Sequence, residues 1–126
     1  MAFIQITHRQ GRVPVTVFQL LDRINLGNFA ELEKTSKDTY DNGTRDLVID
    51  LSRIEALTSI GVRALVIVHK LLSTDKEKHL KLAGISPSMR DVLEIAGITQ
   101  FIDAYDTVGS SGIVLKNKRL AMSQSH

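Results

Sequence analysis

The chain alternates between two kinds of hydrophobic spacing, and the switch from one to the other marks its elements. Near the amino terminus Phe3, Ile4 and Ile6, then Val13, Val15, Val17 and Leu20, flank Gln10-Gly11-Arg12. Such near-alternation on either side of a glycine-containing break predicts two strands joined by a hairpin turn. Pro14 suits an edge position or the first residue of a strand. Beyond them the spacing lengthens to that of a helix. Phe29, Leu32, Ser36 and Tyr40 fall on one face, Asn28 with Glu31 resembles a capping box, and Asn42-Gly43 supplies a left-handed stop. A helix is predicted over 28–41.

Asp46 to Leu51 then reads as a strand, apolar at Leu47, Val48 and Ile49 as a strand covered on both faces would be. Thr58 and Ser59 open a helix that runs to about Leu72, and Leu80 to Ala83 forms another strand. Ser86-Pro87 is a cap with proline in the first turn, Met89, Val92, Leu93 and Ala96 make the stripe of a third helix, and Gly97 closes it. Phe101 to Tyr105 is a candidate last strand, Gly109 to Gly112 interrupts whatever helix follows, and the tail 116–126 has no periodicity and is expected to be mobile. A hairpin followed by strand-helix alternation implies an α/β fold: one mixed sheet whose parallel neighbours are joined by right-handed helical crossovers, packed with about four helices.

Composition narrows the function. With 126 residues and 43% hydrophobic content there is material for a single domain and one core, expected over about 3–107. Sixteen Lys and Arg against fourteen Asp and Glu are scattered rather than gathered in a stripe, so nucleic-acid binding is not favoured. The absence of cysteine excludes disulfides, thiolate chemistry and cysteine-based zinc sites. The longest unbroken apolar run, Ala64 to Val68, is far too short to span a bilayer, and the amino terminus lacks a signal-peptide block. A cytoplasmic protein is expected.

Chemistry concentrates in the stretch from Leu47 to Gly61. A strand, a short turn and a helix opening on two hydroxyls put a serine at the positive end of a helix dipole, where unpaired N–H groups tolerate a phosphate. Read from residue chemistry alone, Ser59 is a helix cap before it is a regulatory site. A catalytic nucleophile would need a base and an orienting carboxylate, and His8, His69, His79 and His126 form no such pattern with it. His69 has Ser73 rather than a ligand four residues on, which speaks against a metal. Asp50 is read as a turn-forming residue at a strand end, and the glycines never make a phosphate-cradling run. Around the helix, Ile60, Ala64, Leu65, Ile67, Val68, Leu71 and Leu72 are expected on the core face. Val62, Arg63, Val66, His69 and Lys70 are expected outside as a strip for a partner.

Taken together, the hairpin, the Asn-Gly helix end, Val48 to Leu65, Leu80 to Pro87 and Val92 to Phe101 resemble the anti-sigma factor antagonists. These are the single-domain members of the group whose domain, called STAS, also ends sulfate transporters. The resemblance runs from about residue 3 to 107 and is most specific over Asp50 to Gly61. It implies that Ser59 matches the serine phosphorylated in the Asp-Ser-Ser-Gly or Asp-Ser-Ala-Gly signature, with Thr58 in place of the aspartate and as the alternative acceptor. The acidic residue common in the loop before the first helix falls near Asn25. The resemblance also implies a partner, an anti-sigma factor that is itself a serine kinase, with a phosphatase to reverse the modification; Asn25, Thr58 and Ser59, together with Val62, Arg63, Val66 and His69 of the strip read from the helical spacing, would meet it. The chain would then be a substrate without catalytic activity or cofactor, since ATP and Mg²⁺ belong to the kinase; a homodimer is left open. Two other readings keep the fold: a non-switching subunit of a signalling or transport assembly, and a small-molecule or nucleotide-binding protein.

Overall fold

Strand order and handedness decide where everything else in this molecule lies. The computed structural model describes residues 3–9, 15–73 and 79–105. Among the described residues five strands, β1 (Ile4–Arg9), β2 (Val15–Leu20), β3 (Leu47–Asp50), β4 (Leu80–Ala83) and β5 (Asp103–Ala104), lie in the order of the sequence. The first pair is antiparallel and every later pair parallel. Three helices make the crossovers: α1 (Phe29–Asp41), α2 (Ser59–Leu72) and α3 (Pro87–Ile95), the last followed by a 3-10 turn at Ile98–Gln100. Because each right-handed crossover steps the same way across the sheet, all of them collect on one face.

The core follows from that. Phe18, Leu20, Leu47, Ile49, Leu80 and Leu82 point to the helical face, where they meet Leu32 of α1, Leu65 and Val68 of α2, and Met89 and Leu93 of α3 in one buried cluster. The alternate positions Val17, Val48 and Ala83 form a smaller buried cluster on the opposite face. β3 is therefore buried at all four residues, as its unbroken apolar run predicted.

Local chemistry agrees with the expected elements at most boundaries. α2 spans Ser59 to Leu72 as read from the sequence, Ser86 Oγ accepts from Met89 N at 3.2 Å to cap α3, and Gly43 ends α1 at φ +109°. Two expectations on helix ends need correction. Asn28 makes no side-chain cap to α1, because its Oδ1 is already taken by the N–H of Asn25 at 2.8 Å. Ala96, expected in the buried stripe of α3, is the exposed C-cap residue, one step past the last helical turn. The last strand is also shorter than Phe101 to Tyr105: Asp103 and Ala104 pair in register with Lys81 and Leu82 of β4, and the bond from Tyr105 N to Leu82 O, 2.8 Å, closes the ladder. The Gln10-Gly11-Arg12 turn, Pro14, the glycines at 109 and 112 and the 116–126 tail lie outside the described residues.

Candidate functional site

The carboxyl ends of β2, β3 and β4 all open on the same edge of the sheet, and their three loops build the site. β3 ends at Asp50, which is buried and accepts from Ser52 N at 2.9 Å and from Gln19 Nε2 at 3.0 Å. The first of these bonds turns the chain out of the strand, the structural role expected of that aspartate. Gly84, after β4, presses against the same turn. A Cβ there would lie 2.6 Å from Asp50 Oδ1 and 2.7 Å from Ser52 N, and its φ of +70° suits only glycine. Ile54 and Leu57, both buried, then pin the loop to the core.

The loop delivers Thr58 in extended conformation, and this residue, not Ser59, caps α2. Thr58 Oγ1 accepts from Gly61 N at 3.2 Å. The same hydroxyl donates a long bond, 3.5 Å, to the carbonyl oxygen of Ile24. Ser59 is the first helical residue; it is exposed, and its hydroxyl has no hydrogen-bond partner among the described residues. The expectation that Ser59 itself serves as the cap is corrected: the threonine does that work and leaves the serine oxygen free at the positive end of the helix. Gly61 is buried against Leu57, whose Cδ2 would stand 3.1 Å from any added Cβ. The glycine thus lets the loop lie close over the first turn.

Through Ile24 the site joins the β2–α1 loop. Asn25 Oδ1 accepts from Gly27 N at 2.7 Å and Asn28 N at 3.0 Å, while Asn28 Nδ2 donates to Arg23 O at 2.9 Å. Asn25 therefore follows the residue bonded to the cap, and its side-chain oxygen is occupied in shaping a turn. That turn holds Leu26 outward, 81% exposed. Leu26 was not among the residues singled out, although a lone apolar side chain inside Asn-x-Gly-Asn was a readable signal.

Along α2 the expected division into two faces is only partly right. Arg63 and Lys70 are exposed. Val62 and Val66 are half-buried and packed on the main core, so they do not form an open apolar strip. His69 is half-buried too: its ring centroid lies 4.7 Å from that of Phe101, and its nitrogens are 3.2 and 3.4 Å from Ser73 Oγ. Burial pushes its pKa below the ordinary 6.5, and the positive charge of Lys70 adds to the effect. Of the other histidines, His8 faces Thr16 and His79 pairs with Asp46, both at the far end of the sheet from Ser59. No group of three His, Cys, Asp or Glu side chains suited to a metal occurs among the described residues.

A mixed sheet with its helices on one face, and an exposed serine opening the helix that follows its central strand, fit one class of protein, and the chain belongs to the STAS domain family, whose pattern matches residues 4–111. A Bordetella bronchiseptica protein provisionally named an anti-sigma factor antagonist, BtrV, is 34% identical over 74 residues. That stretch is 59% of this chain and 63% of the relative, so the match spans less than two thirds of the relative's length. Among solved structures, an anti-sigma factor antagonist from Mycobacterium paratuberculosis superposes with a TM-score of 0.71 at 22% identity, over 92% of this chain and 94% of that one. An anti-sigma-factor antagonist (STAS) domain protein from Planctomyces limnophilus gives 0.71 at 23%, over 97% and 99%. At these identities the structural likeness speaks for the fold.

Proposed function

We propose that the protein is an anti-sigma factor antagonist controlled by phosphorylation of Ser59. The observation that carries this reading is the division of labour at the start of α2: Thr58 caps the helix, and the neighbouring serine is left exposed with an unengaged hydroxyl. A serine that was needed as a cap would resist modification; this one can accept a phosphoryl group without breaking a bond that the fold uses. The curated relative supports the role, since its name assigns it to the same class.

In the unphosphorylated form the surface made by Asn25, Thr58, Ser59 and the outer side of α2, with Arg63 exposed and the open parts of the half-buried Val62, Val66 and His69 at its margin, receives an anti-sigma factor, and the sigma factor is released. The partner is a serine kinase that supplies its own ATP and Mg²⁺, transfers the γ-phosphoryl group to Ser59 and leaves ADP. The hydroxyl then becomes a dianion at neutral pH, about −1.5 to −2 charges. A partner surface that accommodated a neutral hydroxyl must now desolvate that charge, and burying it unpaired costs several kcal/mol. The complex separates, and a phosphatase restores the hydroxyl.

Incubation with the cognate kinase and ATP, followed by peptide mass spectrometry, tests the assignment. Wild type should take up one phosphoryl group at Ser59, and Ser59→Ala should take up none. A full equivalent on Ser59→Ala would move the acceptor to Thr58 or elsewhere and overturn the reading.

A further inference from the structure

β1 is an edge strand, with only β2 beside it among the described residues. Its hydrogen-bond phase is fixed by the bond from Leu21 N to Phe3 O, 2.8 Å, one step beyond the Ile4↔Leu20 pair of the antiparallel register. Residues of the same parity as Phe3, namely Gln5, Thr7 and Arg9, turn their main-chain groups toward β2. Ile4, Ile6 and His8 turn theirs outward. Protein edges are ordinarily guarded by charged side chains, lysine above all, by proline, by a bulge or by shortness. β1 has six residues, IQITHR, with no lysine or proline and with its one arginine, Arg9, at the last position, and its register runs without a bulge from Ile4↔Leu20 to Arg9↔Val15. At its centre Ile6 is 44% exposed, one of three exposed large hydrophobic side chains among the described residues. The opposite edge, β5, is a two-residue strand and offers little to pair with.

We propose that β1 is a homodimer interface, in which two copies of the chain pair β1 against β1, antiparallel, about a two-fold axis at Ile6. In this register Ile6 exchanges both main-chain bonds with Ile6 of the second copy, and Ile4 with His8. Every outward N–H and C=O of the edge is then satisfied, whereas a slip of two residues in either direction leaves at least one outward residue of β1 without a β1 partner. The side chains agree with the same register. On the helical face Ile6 meets Ile6 and Ile4 meets His8; on the other face Gln5 meets Thr7. No like charges oppose each other, and this self-complementarity is what favours a second copy over a foreign strand. The interface does not depend on the switch reading, because β2 separates β1 from the strand that leads to Ser59.

The chain contains no cysteine, so single cysteines report contacts without background. Gln5→Cys and Thr7→Cys proteins, mixed and oxidised mildly, should form the mixed disulfide in preference to either self-pair and well before an Ile95→Cys control, which is exposed elsewhere on the molecule. In sedimentation equilibrium the full chain should dimerise, and Ile6→Lys, which sets two ammonium groups face to face, should weaken association at least about tenfold while its thermal unfolding stays cooperative. A wild type that remains monomeric at high micromolar concentration would overturn the proposal. So would cross-linking of the mixed pair no faster than the Ile95→Cys control, or an Ile6→Lys protein that associates like wild type.

Discussion

At the level of single residues, Thr58 and Ser59 are neighbours of similar chemistry with opposite duties. Removing the Thr58 hydroxyl strips a cap from α2 and a bond from the β2–α1 loop, so Thr58→Ala should cost about 1 kcal/mol and lower the melting temperature by a few degrees. Ser59→Ala removes a hydroxyl that nothing in the described structure uses, and should stay within about 0.5 kcal/mol of wild type. Paired melting curves of the two variants would check this, and equal losses would show that the cap is shared. Gly84 gives a sharper case. Gly84→Ala forces a Cβ to 2.6 Å from Asp50 Oδ1 at a φ of +70°, so it should destabilise by well over ~1 kcal/mol in urea unfolding. The sequence marked Asp50 as a turn residue, but it could not reveal that Gly84, far along the chain, closes on the same turn. Two segments that meet only after folding leave no local signal.

Among the elements, α2 was readable end to end because its opening hydroxyl pair and its uninterrupted apolar spacing agree. Its outward face was read less well. A helical wheel assumes contact with one flat sheet, whereas α2 also packs alongside α1, and the core-facing arc widens until Val62 and Val66 fall within it. The start of α1 was misread for a different reason: Asn28 has the right chemistry for a cap, but Asn25 takes its side chain first. These differences alter what mutants should do. Val66→Asp should now impair folding as well as binding, since a carboxylate would be forced against core side chains. Arg63→Glu, on the exposed side of the same helix, should leave the melting temperature within a degree or two and still weaken a partner that docks there. A phosphate on Ser59 sits where an anion gains about 0.3 to 1 kcal/mol from the helix end. Calorimetry should therefore find the phosphorylated protein melting at or above the unmodified one, and a marked loss would mean that modification acts by disrupting the fold.

For the molecule as a whole, one histidine links acidity to stability. His69 packs against Phe101 with the two rings tilted by 42°, so it ties α2 to the segment before β5, and folding holds its pKa below 6.5. Protonation then favours the unfolded chain. The contribution is fully present above pH 6.5 and is lost as the pH falls below that value through the lowered one. Melting temperatures taken downward from pH 7.5 should decline more steeply for wild type than for His69→Gln, and parallel curves would remove His69 from the account. The topology has a practical corollary as well. Every loop that shapes the Ser59 site lies at the carboxyl end of the parallel strands, while the Asn42-Gly43 turn, open to solvent with nothing within 4 Å of an added Gly43 Cβ, lies at the other. Asn42→Cys would be the sole thiol of the chain, and anchoring the protein to a sensor chip through it should present the Ser59 end to solution with full capacity for an incoming protein. Anchoring through Ser88→Cys, in the first turn of α3, would turn that same end toward the chip and block it. The fold thus comes with a handle and a working end, and orientation on a surface becomes a means of asking which end does the binding.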